Sequence, residues 1–170
     1  MPSKTLNASG NIVNLNATRN GVYFFRKRTT NELEMAIARK LKKHPHKNIV
    51  KIYEVGPNYI DMELLDAASV DRQVCKQHAA ELTRAKNHMH RNGIVYLDWK
   101  PDNIGISLLD GKIKVFDFDM SALLRRNLWY LNQWNLRPEI KGYLWRNAET
   151  AGMTTPVAID NWIFKNKFIR

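Results

Sequence analysis

The alternation of apolar and polar positions predicts a small antiparallel sheet near the start of the chain. Residues Asn11 to Leu15 and Gly21 to Arg26 follow the two-residue period of strands, and Thr18-Arg19-Asn20-Gly21 supplies an Asn-Gly hairpin turn between them. Two further strands are predicted from Asn48 to Val55 and from Tyr59 to Glu63, joined by a turn that contains glycine and proline. These segments are expected to form the sheet together.

A helix is predicted between these two pairs of strands. From Thr30 or Asn31 to Lys43, apolar residues recur at helical spacing and form one stripe. Acidic residues occupy the first turn and basic residues the last part, which is the arrangement that the helix dipole favours. Pro45 is expected to end the helix.

The middle of the chain predicts a second helix and then a hairpin. Helical spacing extends from Asp71 to His90, and Asn92-Gly93 is a strong stop signal. The strands Ile104–Ile106 and Ile113–Phe116 flank an Asp-Gly turn. A further run, Ser121 to Leu131, is compatible with a helix.

Candidate chemistry lies at the two ends of this hairpin. Asp98-Trp99-Lys100-Pro101-Asp102-Asn103 precedes its first strand, and Asp117-Phe118-Asp119 follows its second. Carboxylate and amide oxygens are the ligands that Mg²⁺ prefers, and phosphoryl transfer requires a base, a cation and such ligands in fixed positions. Asp98, Asn103 and Asp117 are therefore expected to converge on one metal ion, although a simple surface loop has a similar composition.

These residues resemble the eukaryotic protein kinase family, whose catalytic loop reads H-R-D-x-K-x-x-N and whose metal-binding loop reads D-F-G. The resemblance implies that Asp98 is the base or orients the acceptor hydroxyl, and that Lys100 contacts the γ-phosphate of ATP. It further implies that Asn103 and Asp117 hold Mg²⁺. A lysine two residues after the aspartate resembles the serine/threonine branch of the family.

The resemblance also implies a phosphate-binding site in the first part of the chain. Lys27 is predicted to bind the α- and β-phosphates of ATP. Arg26, on the opposite face of the strand, is the alternative candidate for this cation. Glu34 would be the partner of this cation in the helix. Gly10 is the one glycine available for the phosphate loop, where the family has up to three.

By the same likeness, Met62 is the gatekeeper and Glu63 to Leu65 form the hinge, whose backbone would bond adenine. Two positions depart from the family pattern. Leu97 replaces the arginine that normally pairs with the phosphate of a phosphorylated activation loop. Switching by phosphorylation of that loop is therefore not expected. Asp119 replaces the glycine of D-F-G and is expected to cap the following helix or to add a third carboxylate near the metal.

The implied fold class is α+β, a protein kinase-like two-lobed fold with a small antiparallel sheet in the N-lobe, residues 1–63. Residues 64–170 would form a partial, helical C-lobe that is truncated at its central helix. Leu136-Arg137-Pro138-Glu139 resembles the A-P-E motif, and Ala158–Trp162 resembles the D-x-W that opens that central helix.

Composition narrows the class of protein and its setting. The chain has 170 residues and a single cysteine, Cys75, which excludes an intramolecular disulfide. Neither a signal peptide nor a long apolar run is recognisable, so an intracellular, cytoplasmic protein without a membrane anchor is expected; a viral source, in host cytoplasm or virion, would fit so compact a relative. The net charge of +11 is dispersed and lacks aromatic interleaving, which disfavours nucleic-acid binding.

Two functions remain open at this point. The chain is either a minimal serine/threonine protein kinase that uses ATP and Mg²⁺, or a pseudokinase that serves as a binding, scaffold or decoy module. The helix near the C-terminus would expose an apolar face (Ile159, Trp162, Ile163, Phe164 and Phe168). Either the aromatic segment before it covers this face, or the face docks a protein partner or a second copy of the chain.

Overall fold

The computed structural model describes residues 4–6, 12–17, 21–131 and 143–170, of which 4–6, 12–17 and 143–145 are described by their backbone alone. The predicted Gly10 and the Leu136–Glu139 motif lie outside these residues. The model has the mixed α+β architecture that was expected, with small antiparallel sheets and a few helices. None of the described helices combines the length and the apolarity that crossing a membrane would require.

The first sheet has five strands and is built around the predicted hairpins. Its strands are β1 (Lys4–Leu6), β2 (Ile12–Ala17), β3 (Tyr23–Arg28), β4 (Ile52–Val55) and β5 (Tyr59–Glu63). The spatial order is β1-β2-β3-β5-β4 with antiparallel pairing throughout. The strand predicted from Asn48 begins only at Ile52, because Asn48 and Val50 exchange backbone hydrogen bonds with Val115 instead.

Helix α1 (Glu32–Lys43) packs on this sheet and matches its prediction closely. Asn31 caps its N-terminus, since its side chain accepts a hydrogen bond of 3.1 Å from the backbone N–H of Glu34. The apolar stripe is buried, with Ile37 and Leu41 at its centre. Burial of this stripe fixes α1 against the sheet and so fixes the position of Glu34.

The second predicted helix is divided into two. Strand β6 (Leu65–Asp66) is followed by α2 (Arg72–Gln77) and α3 (Ala79–Arg91), with His78 at the boundary between the helices. Despite this break, the predicted apolar face still points into the core, since Leu82, Ala85 and Met89 are fully buried. Helix α3 ends at the predicted signal, where Gly93 has a φ of 68°.

Two short sheets follow. Strand β7 (Ile94–Val95) leads into the catalytic-loop segment and a 3₁₀ turn at Pro101–Asn103, and β8 (Ile104–Ser107) then pairs with both β6 and β9 (Ile113–Val115). The other sheet pairs β7 with β10 (Ala122–Arg125), which pairs with β11 (Leu128–Leu131).

The prediction of a helix from Ser121 to Leu131 was wrong, and so was the prediction that Asp119 caps it, because β10 and β11 form a hairpin there. Leucine is a good helix former, but the turn residues Arg126 and Asn127 have φ of 49° and 63°, as a two-residue hairpin turn requires. Tertiary pairing also holds the hairpin, since the N–H of Leu124 donates to Gly93 O at 2.8 Å. Pairing with β7 therefore overrides local helix propensity.

The predicted apolar face near the C-terminus is largely buried within the chain. Helices α4 (Tyr143–Thr150) and α5 (Pro156–Phe164) are followed by a π-helical turn, Lys165–Ile169. Within the predicted apolar face, Trp162 is half-buried and the other four side chains are buried. Phe164 and Phe168 pack edge-on against the ring of Trp99, at centroid distances of 4.9 and 6.0 Å.

Candidate active site

Lys27 on β3 contacts both helix α1 and the loop after β9. Its Nζ lies 2.5 Å from Glu34 Oε1 on α1 and 2.8 Å from Asp117 Oδ1, just after β9. Glu34 is held in turn by the hydroxyl of Thr29, which donates to Oε2 at 3.0 Å. The sequence alternative Arg26 faces the other side of β3, where it makes two hydrogen bonds to Asp61, of 2.7 and 2.8 Å. Of the two cations, Lys27 is the one beside Asp117.

Asp117 occupies a strained backbone position. Its φ is 65°, in the left-handed region that is uncommon outside glycine, although asparagine and aspartate adopt it more often than other residues do. Such strain costs about 1–3 kcal/mol and persists only where the surrounding structure enforces it. Here the backbone of the preceding residue is fixed, because Phe116 N donates to Asn103 O at 3.0 Å. This bond ties the loop that carries Asp117 to the loop that carries Asp98 and Asn103.

Asp98, Lys100 and Asn103 form a second cluster within the catalytic loop. The amide nitrogen of Asn103 donates to Asp98 O at 3.0 Å and to Asp98 Oδ2 at 2.7 Å. Lys100 Nζ lies 3.2 Å from the same carboxylate oxygen. The NH₂ group of the buried Asn103 makes both of these bonds to Asp98. Its amide oxygen is the remaining polar atom that could bind a cation.

The pKa values of Lys27, Asp117 and Asp119 are shifted by burial and by the charges of their neighbours. Burial alone would lower the pKa of Lys27, but the charges of Asp117 and Glu34 raise it overall, so the ammonium is retained. Burial would raise the pKa of Asp117, and Lys27 reverses this and lowers it. Asp119 behaves differently, since burial and the nearby Asp117 charge raise its pKa to about 6. Asp119, which stands where the D-F-G pattern has glycine, thus puts a weakly acidic carboxyl beside Asp117.

The donor set fits magnesium. Asn103 and Asp117 supply an amide oxygen and a carboxylate, and Mg²⁺ commonly binds to proteins through one or two carboxylates with phosphates and water as its other ligands. No group of three or more His, Cys, Asp or Glu side chains with metal-binding geometry occurs within the described residues. The site therefore suits a metal that a nucleotide phosphate helps to hold, rather than an all-protein cage.

Asp160 is a positioning residue whose importance the sequence did not reveal. Its fully buried carboxylate accepts hydrogen bonds from the backbone N–H groups of Tyr96 and Leu97, at 3.2 and 2.8 Å. The indole N–H of Trp99 donates to it at 2.7 Å, and His90 Nε2 lies 2.6 Å away. These contacts hold Leu97 at a φ of 70° immediately before Asp98. The D-x-W likeness located this residue but not its contacts.

The residues of the predicted hinge lie at the end of β5 and the start of β6. Met62 is buried in β5 and pairs with Phe25 across the sheet. The side chain of Glu63 faces away from solvent and accepts from Lys114 Nζ at 2.7 Å and from Ser107 Oγ at 2.6 Å. The side chain of Glu63 is therefore engaged within the protein, and its backbone N–H donates to Lys51 O at 2.9 Å. Leu65 pairs with Ser107 at the start of β6.

Much of the chain is similar to known protein kinases. A family model described as the protein kinase domain matches residues 12–135. Sperm motility kinase 3A of Mus musculus is 33% identical over 94 residues, which are 47% of this chain and 18% of that protein. Serine/threonine-protein kinase PKH2 of Saccharomyces cerevisiae is 38% identical over 76 residues (43% and 7%), and serine/threonine-protein kinase OXI1 of Arabidopsis thaliana is 36% identical over 73 (42% and 17%). The chain spans less than a fifth of the length of these relatives.

Proposed function

Since the chain belongs to the protein kinase family, we propose that it is a serine/threonine kinase, which transfers the γ-phosphate of ATP to a hydroxyl group of a protein. One observation carries this proposal. The ammonium of Lys27 bridges Glu34 and Asp117, so the cation proposed to bind phosphate lies directly beside the carboxylate proposed to bind metal. A pure binding module needs no such alignment of charges.

The residues of the chain divide the reaction between them. Asp98 orients the acceptor hydroxyl and takes its proton as the oxygen bonds to the γ-phosphorus and the bond to the bridging oxygen of ADP breaks. Lys100, 3.2 Å from Asp98 Oδ2, lies where it can neutralise charge on the transferred group. Lys27 holds the phosphates that remain on the nucleotide.

Asn103 and Asp117 would hold Mg²⁺, which when bound neutralises charge on the phosphate oxygens. The backbone bond from Phe116 N to Asn103 O supports this assignment, because it ties together the two loops that carry these residues. Backbone groups from Glu63 to Leu65 are the proposed contacts for adenine.

The second candidate is a pseudokinase that serves as a binding module, and Asp119 favours it. A carboxyl of raised pKa beside Asp117 takes the place of a glycine, and its charge at neutral pH opposes a nucleotide phosphate nearby. If this repulsion dominates, the protein binds nucleotide weakly and transfers no phosphate.

A transfer assay separates the two functions. The protein is mixed with ATP labelled at the γ-phosphate, Mg²⁺ and a generic basic protein, and label on the acceptor is counted. We expect Asp98→Asn and Asp117→Asn each to reduce transfer at least a hundredfold, while the exposed Asp102→Asn in the same loop stays within twofold of the native protein. Equal background in all four proteins would support the binding module.

A second pair of variants tests the choice of cation. Lys27→Met should abolish transfer, because it removes the positive charge beside Asp117. Arg26→Met removes a neighbouring charge on the other face of β3 and should leave transfer measurable, with a loss in thermal stability from the broken bond to Asp61. Loss of transfer in Arg26→Met but not in Lys27→Met would reverse the assignment.

A further inference from the structure

A polar recess of about 230 Å³ lies apart from the residues of the proposed active site. It is bounded by the loop after α1, by His78 and the first turns of α3, and by the end of the β8–β9 turn. We name it the basic recess, and its lining residues are Lys47, Asn48, His78, Glu81, Arg84, Gly111, Lys112 and Ile113. Lys47, Arg84 and Lys112 are exposed and supply its cationic side chains.

The surroundings of His46 show that the positive charge extends beyond the recess. Burial lowers the pKa of this imidazole, and four neighbouring basic side chains lower it further: His88, Lys47, Arg91 and Arg84. Repulsion from several cations at once indicates a positive local potential. Lys47 and Arg84 contribute to this potential and also line the basic recess.

The acidic side chains nearby are already engaged with basic partners. Glu81 Oε1 lies 3.5 Å from His78 Nδ1. Asp110 lies 3.1 Å from the buried Lys114 and 3.8 Å from Lys112. Neither carboxylate is close enough to Lys47 or Arg84 to form an ion pair. The lining of the basic recess has three cations, Lys47, Arg84 and Lys112, and one carboxylate, Glu81, so it carries an excess of positive charge.

Two exposed leucines lie on the turn that carries Lys112. Leu108 and Leu109 are 64% and 52% exposed, and they lie on the same turn as Lys112, between β8 and β9. Asn48 lines the recess as well, and its Oδ1 is a buried acceptor without a hydrogen-bond partner within the described residues. Exposed apolar side chains beside charged ones are typical of surfaces that contact proteins.

We propose that the basic recess, together with Leu108 and Leu109, docks an acidic polypeptide segment that carries apolar side chains. Carboxylates of the segment would pair with Lys47, Arg84 and Lys112, and its apolar residues would cover the leucines. A polypeptide also brings N–H donors that suit an unpaired acceptor such as Asn48 Oδ1, whereas a phosphodiester backbone has none. Nucleobases stack on aromatic side chains, and His78 is the one aromatic residue among the described residues that line the recess.

This docking does not depend on phosphoryl transfer. None of the lining residues belongs to the proposed catalytic or metal-binding groups, so a kinase and a pseudokinase would both retain it. In a kinase, the docked segment would belong to a substrate or a regulator. In a pseudokinase, it would belong to the protein that the module holds.

The test uses the whole chain and a fluorescent twelve-residue peptide of alternating Glu and Leu, with anisotropy as the readout. Comparison probes are a peptide with Ser in place of Leu, a peptide with Lys in place of Glu, and a single-stranded oligonucleotide of the same negative charge. We expect the Glu-Leu peptide to bind at least tenfold more tightly than each comparison probe, and its binding to weaken with salt.

Variants locate the binding. Arg84→Glu combined with Lys112→Glu should weaken the Glu-Leu peptide at least tenfold, and Leu108→Ser combined with Leu109→Ser at least threefold. The matched control reverses two exposed charges elsewhere, Lys76→Glu with Lys165→Glu, and should stay within twofold of the native protein.

All of these side chains except the leucines are charged and exposed, so folding should be retained and is checked by circular dichroism. The proposal is overturned if the control pair weakens binding as much as the recess pair. It is also overturned if the oligonucleotide binds as tightly as the Glu-Leu peptide, or if that peptide does not bind.

Discussion

Replacement of Asp160 by asparagine should destabilise the protein through the catalytic loop. Oδ1 accepts from Leu97 N and Trp99 Nε1, and Oδ2 accepts from Tyr96 N and faces His90 Nε2. Asparagine keeps one oxygen and presents an NH₂ group in place of the other. One pair of contacts therefore survives, while the other pair faces a donor instead of a carboxylate.

The size of the loss follows from these contacts. A hydrogen bond to a charged group contributes ~1.5–3 kcal/mol, and one or two such bonds are lost, so the free energy of unfolding should fall by ~2–5 kcal/mol. In a chain of this length, such a change lowers Tm by about 4–20 °C. Urea unfolding followed by near-UV circular dichroism measures it, because the buried Trp99 reports on the same region.

Two variants bracket this prediction. Asp102→Asn removes an exposed carboxylate from the same loop and should change the free energy of unfolding by less than ~0.5 kcal/mol. Trp99→Phe removes only the indole donor to Asp160 and should cost less than Asp160→Asn does. If Asp160→Asn unfolds within ~1 kcal/mol of the native protein, the carboxylate does not hold the catalytic loop, and this reasoning is refuted.

Three further predictions concern other parts of the chain. Lys114→Met should cost ~3–5 kcal/mol in urea unfolding by leaving Glu63 buried without its cation, and Glu63→Gln added to it should restore part of the loss; no recovery would contradict the pairing. Asp119→Asn should raise Tm at pH 7.5 but not at pH 4, because a pKa raised from 3.8 to about 6 makes the native state lose stability as pH rises through this window; a gain independent of pH would contradict the influence of Asp117. Arg126→Gly should stabilise the β10–β11 hairpin by about 1 kcal/mol, since its φ of 49° suits glycine, and destabilisation would argue against that turn.

Local signals in the sequence predicted most of the elements that carry the site. The Asn31 cap, the apolar stripe of α1 and the Asn92-Gly93 stop each act through neighbouring residues, so they can be recognised without knowledge of the fold. The strand alternation that put Lys27 and Arg26 on opposite faces is equally local, and the structure places them so.

The features that were missed depend on contacts between distant parts of the chain. The β10–β11 hairpin is held by pairing with β7, which a leucine-rich local sequence does not indicate. Asp160 lies more than sixty residues from the loop that it supports. The buried pair of Glu63 and Lys114 likewise joins the hinge to β9. Each of these contacts exists only once the chain has folded.

The central claim is that Asp117, beside Lys27 and near Asn103, holds a metal ion together with the phosphates of ATP. The most direct test is the change in Tm on adding ATP, with and without Mg²⁺, for the native protein and for Asp117→Asn. A ligand that binds the folded state raises Tm in proportion to the logarithm of its concentration over Kd. We predict a rise for the native protein that is larger with Mg²⁺, and the loss of this Mg²⁺-dependent increment in Asp117→Asn. An equal increment in both proteins, or no rise with millimolar ATP and Mg²⁺ in the native protein, would contradict the account.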